Sequence, residues 1–331
     1  MNDPTSVSLI IPCFERADEL QRLLISLEKI NFSKPWEVIV VDDGSQNHQK
    51  IKMVTDKFQC LLIRLENNLG PSQARNVGAK RSNGEFLWFL DSDAEVNNPR
   101  LLTTMVQCLG ANEFLTGVGG EMIEKNGKFY ARIPRHFPGW IFFVKDMPID
   151  KPFKAYPKFI ATSNLLVPKK DFSAINGFSP YFDMHEDHDL CLRLSRSGKH
   201  FLIQNDTCAV HHFSPNGRRE GRFWFFDKMW SYIWHMHISR VKILFSHFPY
   251  FLPILPLLDL IFAPVVFFFQ IFFSKIRSTT VFQKRSEGPA QGFLFFTISN
   301  LMAMCLIWLM AWGLLFKSLA VGRKAVVEKL K

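Results

Sequence analysis

The sequence predicts an α/β protein: a mostly parallel sheet with helices on both faces, followed by a strongly apolar C-terminal part. Three observations predict it. Between residues 7 and 93, short apolar runs alternate with amphipathic helical stretches. The runs are almost continuously apolar, as strands buried on both faces must be. Several of them stop at carboxylates, most abruptly in GEFLWFLDSDAEV (84–96), where Asp91 and Asp93 end the run and Glu95 follows. Acids this close repel one another unless a cation lies among them.

The elements follow in order. VSLIIPCF (7–14) reads as a strand, and ADELQRLLISLEKI (17–30) as a helix whose stripe is Leu20, Leu23, Leu24, Leu27 and Ile30. WEVIVVDDGS (36–45) is a second buried strand, ending in Asp42, Asp43 and glycine. HQKIKMVTDKF reads as a helix and CLLIRLE (60–66) as a third strand. NNLGPSQARNVGAKRSNG (67–84) opens with Gly70-Pro71 and continues as a helix, and EFLWFLDSD is a fourth strand. Sheets of this kind bind ligands at the carboxyl ends of their strands. Polar residues collect there: Glu15 and Arg16, Asp42 and Asp43, Asp91 and Asp93. Neither GxGxxG nor GxxxxGKS occurs, so a dinucleotide dehydrogenase or a P-loop NTPase has no support.

The chain has 331 residues, 47% of them hydrophobic, and a formal net charge of +10. That excess suits a phosphate-bearing ligand or an anionic membrane surface. No zinc finger, RNP signature or basic-plus-heptad pattern speaks for nucleic acid. Six scattered cysteines without a CxxC pair read as reduced thiols of a cytosolic compartment. The opening MNDPTSVSLIIP reads without a secretory signal. Residues 247–273 contain only His247 and Asp259 as groups that could be charged near neutral pH, and residues 293–316 contain none. Both are long enough to cross a bilayer core of about 30 Å. The prolines at 249, 253, 256 and 264 leave a kinked, re-entrant or interfacial path open for the first. A buried helical hairpin is the alternative for the pair. The expected division is therefore a domain at 1–240 and membrane-associated helices at 241–331. The basic loop between the two segments, with Lys275, Arg277, Lys284 and Arg285, opposes a simple hairpin. Arg218, Arg219, Arg222, Lys228, Arg240 and Lys242 favour a cytoplasmic N-terminal domain.

SLIIPCFERADELQRLLISL, VIVVDDGS, NNLGPSQARNVGAK, GEFLWFLDSDAE and ATSNLLVPKKDFSAINGFSPYFDMHEDHDLCLRLSRSGKHF, in this order, resemble family 2 glycosyltransferases with the Rossmann-like GT-A fold. The resemblance runs from about residue 6 to 240. It implies transfer of a sugar from a nucleoside-diphosphate sugar with inversion, and a divalent cation, Mg²⁺ or Mn²⁺, that stabilises the departing diphosphate as a Lewis acid. It implies Asp93 as the direct metal ligand and Asp91 on ribose or metal. It places Pro12, Phe14, Glu15, Asp42, Asp43 and Gly70 on the donor, with Phe14 where the family often has Tyr and Glu15 where many members have Asn. Arg75 would reach the diphosphate. Asp187 would be the general base, with Glu186 orienting it or the acceptor. Ser163 and Asn164, beside Thr162, would floor the sugar pocket near His185, and His211 or His212 would touch the diphosphate or complete the metal shell. Each assignment has a structural alternative: an Asx turn at Asp42–Asp43, a surface arginine at 75, a core Phe14, acids satisfying a helix N-terminus at 186–189. Asp189 reads as a support for its helix.

The Q-x-x-R-W motif of processive synthases is not found; Gly221-Arg222-Phe223-Trp224 comes near it. One sugar per encounter is expected, and 222–237, aromatic and basic, suits an interfacial helix. The expected acceptor is a hydroxyl of a lipid-linked or cell-envelope glycan, at the cytoplasmic face of the inner membrane. Polyprenyl phosphate as acceptor, or a non-catalytic membrane scaffold binding nucleotide or glycan, are the alternatives. Specificity is expected in loops such as 119–160.

Overall fold

The structure, a computed structural model, describes residues 7–137, 140–182 and 185–214, with Ile243 and His247. Apart from Trp140, Ile243 and His247, these belong to one compact unit made of residues 1–137 and 141–219.

Its first half alternates as the apolar runs require: β1 (Val7–Cys13), α1 (Ala17–Leu27), β2 (Trp36–Asp42), α2 (His48–Lys57), β3 (Leu61–Arg64), α3 (Pro71–Arg81) and β4 (Phe86–Leu90). Then come β5 (Ala94–Glu95), α4 (Leu101–Ala111), β6 (Leu115–Gly119), β7 (Glu121–Lys125), β8 (Lys128–Phe137), β9 (Trp140–Pro148) and β10 (Lys154–Ala155). The described part closes with β11 (Asn164–Pro168), α5 (Lys169–Ala174), α6 (Glu186–Leu194), β12 (His200–Gln204) and β13 (Ala209–His211).

The main sheet has the order β10-β12-β6-β11-β4-β1-β2-β3. Strand side chains alternate between faces, and both faces are covered. Leu9, Ile11, Trp88 and Leu90 pack with Leu20, Leu23 and Leu24 of α1 and Leu101 and Met105 of α4. Ile10, Leu87 and Phe89 pack the other way, against Phe172 and Phe178. The Phe89 ring centroid lies 5.2 Å from Phe172 and 5.3 Å from Phe178. Every residue of β4 except Phe86 is therefore buried, which is why the run carries no polar alternation.

The sheet is mixed rather than parallel throughout. β1, β2, β3 and β4 are parallel, but β11 runs antiparallel between β4 and β6. A run as apolar as NLLVP suits a buried strand of either direction, so composition does not reveal the reversal. The reversal matters for position: Asn164 pairs with Leu90, so residues 161–163 enter at the edge where β4 leaves it.

Residues 119–160 are not principally loop. β7, β8 and β9 join β5 and β13 in a second sheet, of order β5-β13-β7-β8-β9. In it His211 pairs with Ala94, and Ala209 pairs with Glu121. Among the described residues no helix is long and apolar enough to cross a membrane. The segments 247–273 and 293–316, His247 apart, lie outside the described residues, as do the boundary at 240 and the stretch 222–237.

Asn164 holds the two halves of the main sheet together. Its Oδ1 accepts from Trp88 Nε1 at 2.8 Å, and its Nδ2 donates to Gly120 O at 2.7 Å and Thr207 O at 2.9 Å. It is fully buried. Asn164→Ala leaves the Trp88 indole N–H and the Thr207 carbonyl without this partner, while Gly120 O keeps the Ala209 N–H, and each buried group so stranded costs about 1–3 kcal/mol. A loss of about 3 kcal/mol or more in urea unfolding is expected; an unchanged midpoint would contradict the role.

Candidate active site

The parallel register of β1 and β2 sets Cys13 beside Asp42, so the segments leaving them meet at one edge. Pro12 lies in β1 opposite Val41, and Phe14 is half-buried just beyond. Glu15, at φ 53°, ties this edge together: its N–H donates to Ser45 Oγ at 2.9 Å and its carboxylate accepts from the Gln46 N–H. Asp42 is fully buried. Its Oδ1 accepts from Ser45 N at 3.0 Å, and its Oδ2 lies 2.6 Å from His48 Nδ1 and 3.5 Å from Arg64 Nη1. Asp43 accepts from the N–H groups of Leu69 and Gly70, both at 2.8 Å. Gly70, at φ 89°, makes the turn into Pro71 and α3. Asp42 and Asp43 build the walls of the edge, each through its own hydrogen bonds.

Beyond β4, Asp91, Asp93 and His211 each present one ligand atom, all within 4.8 Å of one another. His211 Nε2 lies 3.5 Å from Asp93 Oδ1 and 3.8 Å from Asp91 Oδ2. Asp93 Oδ1 is buried and accepts no aligned hydrogen bond among the described residues, though Arg16 Nη1 stands 3.1 Å away. Its Oδ2 accepts from Ser214 N at 2.7 Å. Ser214 is fastened again by its Oγ to Glu19 at 2.8 Å and by its carbonyl to Arg16 Nη2 at 3.1 Å. Burial pushes Asp93 up, but His211, Arg16 and the Ser214 N–H outweigh it and hold the carboxyl well below the usual range. Burial alone would favour neutral His211; the carboxylates of Asp93, Glu121 and Asp91 win and raise it to about 10. A proton on His211 thus partly neutralises the acids. Two hard carboxylate oxygens, one of them without an aligned donor, and an imidazole nitrogen suit a divalent cation. Metal binding at such a histidine displaces its proton. His212 points elsewhere, with Nε2 3.0 Å from Glu95 Oε2.

α3 joins this cluster to the second acidic pair. Arg75 is buried, and its Nη2 lies 2.6 Å from Asp91 Oδ1 and its Nη1 3.3 Å from Glu186 Oε1. Asn76, next on the helix, brackets Phe178: Nδ2 donates to Phe178 O at 2.8 Å and Oδ1 accepts from its N–H at 2.9 Å. Gly177 makes that approach possible. Its φ is 66°, and a Cβ there would stand 2.5 Å from Asn76 Oδ1. Asp189 braces the same turn from the other side: it pairs with Arg193 at 2.6 Å, and Arg193 Nη1 donates to the carbonyls of Ile175 and Gly177. His185, at φ 61°, precedes α6, whose first turn carries Glu186 and Asp187. Burial, then the neighbouring charge of Glu186, raises Asp187 to about 7 despite its bond from the His188 N–H.

Ser163 stands at the mouth of β11 beside Asp91, whose N–H donates to its carbonyl at 3.2 Å. Its Oγ donates to Glu121 Oε2 at 3.0 Å. Asn164, by contrast, spends every polar atom on strand and loop contacts. The sequence reading missed Glu121, which meets His211, Ser163 and Arg132, and it missed Ser214. No local pattern marks either; only the pairing of β13 with β5 and β7 brings them in.

The glycosyl transferase family 2 profile matches residues 8–173. The chain is 26% identical over 266 residues to the amylovoran biosynthesis glycosyltransferase AmsB of Erwinia amylovora, covering 75% of this chain and 84% of AmsB. It is 39% identical over 98 residues to the poly(ribitol-phosphate) beta-N-acetylglucosaminyltransferase TarS of Staphylococcus aureus, a match spanning 28% of this chain and 17% of TarS. The fold is that of the mannosyltransferase PcManGT from Pyrobaculum calidifontis, solved in complex with GDP-Man and Mn²⁺. The TM-score is 0.51 at 14% identity, over 99% of this chain and 80% of PcManGT.

Arg75→Met would leave Asp91 and Glu186 unneutralised. Breaking a buried ion pair from one side costs about 3–5 kcal/mol; partial exposure of the two acids places this near the lower end. Thermal unfolding should fall markedly at pH 7. An unchanged unfolding temperature would contradict the electrostatic account.

Proposed function

The chain belongs to glycosyl transferase family 2, and on that premise we propose an inverting, cation-dependent enzyme that moves one sugar from a nucleoside-diphosphate sugar to a hydroxyl of a lipid-linked or cell-envelope glycan. One observation carries the reading: a single buried guanidinium, Arg75, separates the acids suited to a cation, Asp91 and Asp93, from the pair Glu186–Asp187. A donor diphosphate on one side and an acceptor hydroxyl on the other would meet across it.

Asp91, Asp93 and His211 would hold the divalent cation, Mg²⁺ or Mn²⁺. Bound there, it would supply Lewis-acid stabilisation of the leaving diphosphate. Pro12, Phe14, Glu15, Asp42, Asp43 and Gly70 would shape the base and ribose site. Arg75 pairs with Asp91 and Glu186, and its guanidinium would also meet a donor phosphate. Asp187 Oδ would take the proton of the acceptor hydroxyl as its oxygen attacks the anomeric carbon in line, and the bond to the diphosphate breaks with inversion. A carboxyl near 7 is a far better base than an ordinary aspartate, since it holds the proton it removes. Ser163 and His185 would face the sugar.

The acceptor class is supported by the relatives. AmsB is a glycosyltransferase of amylovoran biosynthesis, and TarS transfers N-acetylglucosamine to poly(ribitol-phosphate). PcManGT in complex with GDP-Man and Mn²⁺ supports the donor class and the cation. The charge-free stretch 293–316 and the apolar stretch 247–273 would anchor the chain to the inner membrane, with the catalytic unit in the cytoplasm.

Three outcomes test this. Membranes containing the protein, given a panel of labelled nucleotide sugars, should pass label from one donor into lipid extract or glycan, and Asp93→Ala should abolish transfer; undiminished transfer by that variant would remove the cation from the mechanism. Asp187→Asn should lower kcat by about 10²–10⁴-fold with donor KM little changed. A phosphate acceptor, already ionised, would tolerate that change and redirect the reading to polyprenyl phosphate. Asp187 works only when ionised, so kcat/KM should fall as pH drops through about 7. A rate flat from pH 8 to 5 would exclude Asp187 as the base.

A further inference from the structure

Glu121 opens β7 at the point where the chain leaves the main sheet for the second one. Its carboxylate is the meeting point of three elements. Oε2 lies 2.8 Å from His211 Nδ1 on β13 and accepts from Ser163 Oγ at 3.0 Å. Oε1 takes Arg132 Nη1 of β8 at 2.9 Å. Burial pushes this carboxyl up, but His211, Arg132 and Ser163 together hold it below its ordinary value, so Glu121 is a fixed negative charge.

His211 therefore has its two nitrogens divided. Nδ1 faces Glu121, and Nε2 faces Asp93 and Asp91 at 3.5 and 3.8 Å. Phe213 packs on the imidazole with ring centroids 3.9 Å apart, and Arg132 lies over Phe213 at 5.1 Å. Rotation of the ring would break the Glu121 contact and this stacking together. Glu121 sits across the imidazole from the aspartates, so it acts through the ring and not on a cation directly.

We propose that Glu121 is the positioning residue of the cation site: it holds His211 with Nδ1–H toward itself and Nε2 toward Asp91 and Asp93, while Arg132 and Ser163 hold Glu121. This rests on the reading that Asp91, Asp93 and His211 take a divalent cation. A carboxylate on the far nitrogen fixes the tautomer of a ligating histidine and raises the basicity of the ligating atom; losing it typically weakens metal binding about 10–100-fold.

The test uses Mn²⁺ alone, without donor, titrated into the purified full chain and followed by electron paramagnetic resonance, with folding checked by circular dichroism. Glu121→Gln keeps an acceptor for Nδ1–H and removes the charge, and should weaken Mn²⁺ binding about tenfold or more. Glu121→Asp keeps the charge at a shorter reach and should lose less; it carries the test if Glu121→Gln does not fold. Spin-echo modulation from a histidine nitrogen bound to Mn²⁺ should be present in wild type and reduced in Glu121→Gln. Wild-type affinity and modulation in a folded Glu121 variant, with binding lost in Asp93→Ala, would overturn the assignment of Glu121 alone. A wild type that binds no Mn²⁺ would overturn it together with the cation reading beneath it.

Discussion

Negative charge gathered out of water at a strand edge must be neutralised, and the site is organised around how this is done. Asp91, Asp93, Glu121, Glu186 and Asp187 converge there from β4, β7 and α6. Arg75 answers Asp91 and Glu186, Arg16 answers Asp93, and Arg132 answers Glu121. His211 supplies a further positive charge by holding its proton far above the usual imidazole range. Among the described residues Asp187 has no comparable partner, and its carboxyl rises toward neutrality. One imbalance thus yields two chemical properties: an acidic cluster suited to a cation, and an acid whose carboxyl sits close to neutrality.

The rest of the described fold serves that arrangement. Parallel pairing of β1 with β2 and β4 puts three strand ends at one edge. The reversed β11 delivers Ser163 to the same edge, and the second sheet delivers His211 and Glu121. α3 is the brace between them. Its first turn is fixed by Asp43 through Gly70, its middle by Arg75 and Asn76, and its packing by Gly78, whose missing Cβ leaves room for Ile10. A change at the edge formed by β1 and β2 would therefore reach the Glu186–Asp187 pair through a single helix.

Much of this was legible in the letters. The apolar runs ending in acids located β1, β2 and β4, and the leucine stripe located α1, which ends at Leu27 rather than at Ile30. Asp93, Asp91, His211 and Asp187 were legible as candidates because their motifs are short and local. What was not legible depends on distance along the chain. Glu121 meets a histidine 90 positions later, and Asn164 meets an indole 76 positions earlier. Asn164 reads as a pocket residue by its place before LLVP, yet its amide stitches strands. Arg75 reads as a surface or phosphate-binding residue, yet the helix faces it inward between two acids. The segment 119–160 carries faint signals because its strands mix charged and apolar residues, and its order comes from the pairing of β7 with β8 and β13.

The most direct measurement is anomalous diffraction at the manganese edge from crystals of the protein grown with Mn²⁺ and a nucleoside diphosphate. A peak within bonding distance of Asp91, Asp93 and His211 Nε2, with the diphosphate against it and Arg75 alongside, is the expected result. Manganese bound away from these three side chains, with the diphosphate well ordered, would contradict it.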